Sequence, residues 1–153
     1  MKRIFIFSFL LLSFISNAQV KEVTLPDLLK IKFQEQFSNA TDVKWSKFYR
    51  GKDNEEVRYE AEFFNNDTKY MVSYDKNGVI KALEKSILVG SLSPKIKDYV
   101  RGYFQSYKLK EATEIYTEEG KEFFNVGIKR NETDYLVLVF NKEGDFLYKE
   151  ELK

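Results

Sequence analysis

The chain has 153 residues, with 25 Lys and Arg against 24 Asp and Glu, and contains neither cysteine nor histidine. Without those two residue types there can be no disulfide, zinc-finger site, Ser-His-Asp triad or cysteine nucleophile. A charge balance this close to neutral also lacks the basic excess with which a nucleic-acid-binding domain attracts phosphate.

The chain opens on Lys2 and Arg3, followed by an apolar run from Ile4 to Ile15 and then the small residues of Ser16-Asn17-Ala18. This is the layout of a secretory signal peptide over 1–18; the run is short for a bilayer span, and no stop-transfer pattern follows. The expected mature protein begins near Gln19, is periplasmic or secreted, and is not inserted in a membrane. It keeps ten Phe, ten Tyr and Trp45. An exported protein without cross-links depends on such side chains, each stabilising by about 1.5–3 kcal/mol when buried.

Thr24 is the expected N-cap of a first helix, with Pro26 in its first turn and Leu25, Leu28, Leu29, Phe33 and Phe37 at helical spacing. The period then changes to two, which predicts strands over 43–49, 57–64, 69–75 and 79–87. A second helix is predicted from Ser93 as N-cap and Pro94 as its first residue. Its apolar stripe is Ile96, Tyr99, Val100, Tyr103, Phe104 and Tyr107. Strands follow over 112–117, 122–129, 134–140 and 146–151. The connections at Gly51–Asn54, Asn65–Asp67, Asn77-Gly78 and Glu118–Gly120 have the composition of hairpin turns, so the strands form antiparallel meanders.

The two halves echo each other. Tyr59-Glu-Ala-Glu-Phe63 and Phe124-Asn-Val-Gly-Ile128 lie 65 residues apart. Each is followed by an Asn-x-Thr turn (66–68 and 131–133), a tyrosine (Tyr70, Tyr135), an apolar run and a glycine turn (Gly78, Gly144). The predicted fold is α+β: two tandem repeats, 24–87 and 92–153, each one helix plus a four-stranded antiparallel meander. Both helices pack on one face of the sheet. The short, partly apolar connection 88–92 makes the repeats one packed unit.

The run Phe37-Ser-Asn-Ala-Thr-Asp-Val-Lys-Trp45, with Tyr59-Glu-Ala-Glu-Phe63 and Tyr74-Asp-Lys-Asn-Gly78, resembles the PepSY-like family of β-lactamase-inhibitor-like secreted proteins. Ser38 stands where that pattern commonly has Pro, Leu92-Ser93-Pro94 replaces Leu-Pro, and the second half lacks the Trp. The resemblance covers most of 24–153. It implies helices on one face of an antiparallel sheet whose other face is open, and it names no target.

One-sided coverage cannot bury every ring. Trp45, Tyr59, Phe63, Phe104 and Phe124 are the expected core, while Arg58, Glu60, Glu62, Phe64, Met71, Tyr116, Phe123 and Lys129 are expected on the open face. Aromatic, Met and Arg side chains among charges compose a protein-binding surface. The leading expectation is therefore a non-enzymatic, inhibitor-like module for a protein or peptide, without cofactor or nucleic acid. Alternatives are a small-molecule or ion-binding protein, and a hydrolase using Glu60 and Glu62, which would lie about 7 Å apart on one strand face.

Ser73-x-Asp75-x-Asn77-Gly78 followed by Glu84 has the spacing of a calcium loop. Ser at its first position, strand-like flanks and Val139 at the matching place in the second half favour a plain Asn-Gly turn, and no metal is expected. The Asn-x-Thr triplets at 39–41, 66–68 and 131–133 are read as turn residues rather than glycosylation sites.

Overall fold

The computed structural model describes residues 24–50 and 56–151. The expected signal peptide and the Gly51–Asn54 turn lie outside them. The elements run α1 (Asp27–Gln36), β1 (Thr41–Arg50), β2 (Glu56–Asn65), β3 (Thr68–Asp75) and β4 (Ile80–Ile87). A single 3-10 turn at Val89–Ser91 leads into α2 (Pro94–Tyr103), β5 (Lys108–Thr117), β6 (Glu122–Asn131), β7 (Asp134–Asn141) and β8 (Phe146–Glu151). The strands form one eight-stranded sheet in sequence order, every neighbour antiparallel. The fold is α+β and dominated by its sheet.

Local chemistry accounts for the turns. Asn66 and Asp67 join β2 to β3 with φ of 49° and 60°. Two successive left-handed residues make the hairpin turn whose twist matches the strands, and Asn and Asp tolerate it. Between β3 and β4, Gly78 has φ 73° and the Asp75 Oδ1 accepts hydrogen bonds from the backbone N–H groups of Asn77 (2.8 Å) and Val79 (2.9 Å). The residues that spell a calcium loop thus organise a turn. The β7–β8 turn repeats the device: Asn141 Oδ1 accepts from the Asp145 N–H at 2.7 Å, and Gly144 has φ 80°.

α2 begins as its sequence predicts, with Pro94 inside the first turn and Ser93 Oγ accepting from the Ile96 N–H at 3.4 Å. α1 begins later than expected. Pro26, not Thr24, is its N-cap, and no side chain caps it. The proline ring drives Leu25 out of the helical region, so the first helical bonds run from Leu29 and Lys30 N–H to the Pro26 carbonyl.

Two apolar clusters hold the helices down. Leu29 and Phe33 of α1 sit on Tyr59, Ala61, Phe63, Val72 and Tyr74. Leu92 joins Ile96 and Val100 of α2 over Ala112, Val126, Ile128, Leu136, Leu138 and Phe140. Phe33 meets Phe63 edge-on at 5.0 Å between ring centres and Trp45 at 5.2 Å, a favoured aromatic geometry. Of the expected core rings, Tyr59 and Phe63 are buried, and Trp45, Phe104 and Phe124 are half-buried at the cluster rims. Ten-residue helices bury only a narrow i, i+4 stripe. Leu28 and Tyr103, on the flanks of the expected stripes, are therefore exposed.

The register carries both clusters to the same side of the sheet. Val72 faces Leu83 and Leu83 faces Tyr116, while Ile87 faces Ala112 and Ala112 faces Val126. Alternate residues point to opposite faces, so α1 and α2 share one face.

Candidate binding face

The opposite face is built from the intervening residues. One row runs across six strands as Lys44, Glu62, Met71, Glu84, Ile115 and Phe123. The next row starts Ser46, Glu60, Ser73, and the one beyond it Phe48, Arg58, Asp75. The register puts Arg58, Glu60, Glu62, Phe64, Met71, Phe123 and Lys129 on this helix-free face. Tyr116 requires correction: it lies opposite Leu83 and Glu122 on the helix side, and Ile115 takes the helix-free position. An apolar Ile reads as core-facing when only one face is assumed buried, and here that assumption fails.

Over β1–β4 the face is ionic. Arg58 is 8% exposed; its Nη2 lies 2.7 Å from Glu56 Oε1, whereas Nε and Nη1 are buried without a hydrogen-bond partner. Asp75 sits across from it. Burial works against the Asp75 charge, but the Val79 and Asn77 N–H groups, Lys81 and Arg58 together hold its carboxyl below the usual range. Lys81 bridges Asp75 and Glu118, and Lys69 pairs with Glu62 at 2.8 Å. Among the described residues, no three His, Cys, Asp or Glu side chains converge as a metal site.

Over β5–β8 the face is closed by its own side chains. Ile115, Asn125, Val137 and Val139 are all nearly or fully buried although no helix covers them. The Tyr135 hydroxyl donates to Glu111 Oε1 directly across Gly127, where a Cβ would overlap both side chains. Burial, reinforced by the Glu111 carboxylate, pushes the Tyr135 phenol far above its ordinary range. Burial also raises the Tyr148 phenol and the Glu150 carboxyl on β8. Asn125 Nδ2 is buried without a partner. Sequence reasoning missed these positions, yet one signal for them was present: the unbroken apolar run Leu136–Phe140 marks a strand buried on both faces.

At the junction of the halves, beside the β4–β5 pair, lies a groove of about 380 Å³. Met71, Ser86 and Thr113 line it from the strands, Leu88 and Val89 from the connection, and Lys69 and Lys110 flank it.

No protein-family model matches the sequence, and no curated protein gives a significant match. Solved structures do resemble it. A Bacteroides eggerthii protein provisionally named as periplasmic superposes with a TM-score of 0.70 at 15% identity, over 84% of this chain and 90% of that one. A DUF2874 family protein from Bacteroides uniformis gives 0.69 at 13% identity, over 84% and 90%. A BLIP-like protein from Bacteroides fragilis gives 0.65 at 16%, over 86% and 89%. Identities this low carry the fold alone, which is BLIP-like.

Proposed function

We propose that the protein is an exported, non-enzymatic binding module that holds a protein or peptide on the sheet face opposite its helices. The observation that carries this reading is the character of that face over β1–β4. With both helices on the other side, Phe64 and half-buried ionic side chains surround Met71 in one continuous patch, a mixture suited to protein recognition. Export is supported by the signal-like segment 1–18 and by the periplasmic naming of a structural neighbour. The two helix-plus-four-strand halves, 24–87 and 92–153, are read as a duplicated PepSY-like unit, because the matched segments recur at a spacing of 65 residues. A binding rather than hydrolytic role fits the internal engagement of Glu56 with Arg58, Glu62 with Lys69 and Glu111 with Tyr135.

The test is site-specific photocrosslinking in the cells that make the protein. A benzophenone side chain at Phe64 or Phe123 is expected to trap a discrete partner, whereas one at Leu28 or Tyr103, exposed on the helix side, is not. Adducts from the helix side alone, or from none of the four, would overturn the reading.

A further inference from the structure

The sheet ends on two outer strands. β1 pairs only with β2 and β8 only with β7, so among the described residues neither has a strand on its other side. A free strand edge presents a row of backbone N–H and C=O groups ready to pair with another chain. β1 is ten residues long and has no proline, and Ser46, Lys47 and Tyr49 are exposed along it. Its lysines are the usual guard of such an edge, because a charge there must be met or stay in water.

The molecule already contains the contact that would use both edges. β4 meets β5 antiparallel with α2 and its flanking loops between them in sequence, so no tight turn forces the two strands together. β8 is built like β4. Both return to the preceding strand through the same register shift, at Ser73/Tyr74 and at Val139/Phe140, which matches Leu83 to Lys149. β1 is built like β5, with early shifts at Thr41/Lys44 and Leu109/Glu111 that match Tyr49 to Tyr116. Carried over to a second copy, the β4–β5 register sets β8 of one chain antiparallel to β1 of the next. Leu83 opposite Tyr116 becomes Lys149 opposite Tyr49, and Lys85 opposite Glu114 becomes Glu151 opposite Lys47. The first pair brings a lysine to a ring that is 53% exposed in one chain alone. The second keeps opposite charges across the strands with their order reversed. No ion pair engages Lys47 among the described residues; it lies over the Tyr49 and Tyr59 rings. Lys149 is only diagonal to Lys47 in this register, farther away than Glu151.

We propose that β8 of one chain pairs with β1 of a second copy, extending the sheet head to tail in the register that joins β4 to β5. The contact is heterologous, so every added copy leaves one β1 edge and one β8 edge free for the next. It uses the rims of the sheet and leaves the helix-free face of β1–β4 open. It therefore stands or falls independently of the partner proposed for that face.

The chain contains no cysteine, so disulfide trapping reads the register directly. Protein carrying Tyr49→Cys is mixed with protein carrying Lys149→Cys under a mild oxidant, and formation of the mixed dimer is followed by non-reducing electrophoresis. The control replaces the first protein with one carrying Ser46→Cys. All three side chains are exposed, so the variants fold. In a continued sheet residues 49 and 149 share a face, whereas 46 and 149 leave opposite faces. The 49–149 dimer is expected to form at least about tenfold faster than the 46–149 dimer, which cannot close across the sheet. Adding Lys47→Glu to the Tyr49→Cys protein sets like charges opposite and should slow trapping about three- to tenfold. Adding Glu151→Lys to the Lys149→Cys protein should then restore the rate. Equal rates for the two pairs, no mixed dimer from either, or a rate indifferent to the charge reversal overturns the proposal.

Discussion

Over β1–β4 the helix-free face is made of ionic side chains around Met71 and Ser73, whereas over β5–β8 the corresponding positions hold Ile115, Val137 and Val139 at 2% exposure or less. The backbone plan is the same in both halves: four antiparallel strands under one short helix. Side-chain length makes the difference. At the 65-residue spacing, Glu60 and Glu62 of β2 correspond to Asn125 and Gly127 of β6. Where the first half projects carboxylates, the second leaves a furrow into which Tyr135 folds to reach Glu111. One half of the face is thereby closed on itself, and the other keeps ionic side chains at its surface.

The largest expected effect tests this closure directly. Gly127→Val should cost about 2–3 kcal/mol, because the added carbons occupy the space of the Tyr135 hydroxyl and force the cover off. Glu62→Ala, at the corresponding position of the open half, should cost less, about 1 kcal/mol, since it removes only a partly exposed ion pair with Lys69. Urea unfolding of the two variants beside the parent protein measures both. Equal effects would abolish the distinction between the halves.

The next effect is smaller and depends on pH. Tyr135→Phe removes one hydroxyl-to-carboxylate hydrogen bond, a loss of about 1–3 kcal/mol at neutral pH. The folded phenol titrates above its unfolded value near 10. Its contribution is therefore complete below pH 10 and declines as pH rises beyond it, because the unfolded chain releases the proton first. Thermal melts between pH 9 and 11.5 should show a shallower alkaline fall in the Tyr135→Phe variant than in the parent. Some slope should survive, since burial also pushes Tyr74 up to about 12 and burial with Glu114 does the same for Tyr116. Identical alkaline slopes would mean that Tyr135 is not the cover.

How much of this could be read beforehand follows from the same contrast. The hairpins were legible because Asn66-Asp67, Asn77-Gly78 and Glu118–Gly120 carry the residues that left-handed turns demand. The second helix start was legible because Ser93-Pro94 is a local signal. In the first half, the alternation of Arg58, Glu60 and Glu62 with Tyr59, Ala61 and Phe63 assigned the two faces correctly, since one face there is polar. The second half defeats that rule. Ile115 and Val137 are as apolar as the residues under α2, so composition no longer distinguishes the faces, and Tyr116 was drawn to the wrong side. The junction groove was illegible for another reason: its walls lie on three strands and a connection, brought together only by register.

Arg58 brings the comparison to its finest point. An arginine whose side chain is 10% exposed, with two of its three guanidinium nitrogens unpaired, is an unfavourable way to fill the face. Its ion-pair partner Glu56 is about half exposed, so leaving that carboxylate alone costs little, and Asp75 retains Lys81 and its two backbone N–H donors. Arg58→Met keeps the length of the side chain and removes the buried charge. It should leave stability unchanged or raise it by up to about 1 kcal/mol in urea unfolding, while reducing the crosslinked partner recovered from position 64. That combination would mean Arg58 is retained for recognition at some expense to the fold, as an open half requires. A loss of about 3 kcal/mol or more would instead make Arg58 a structural ion of the sheet, and the first half would then be as self-contained as the second.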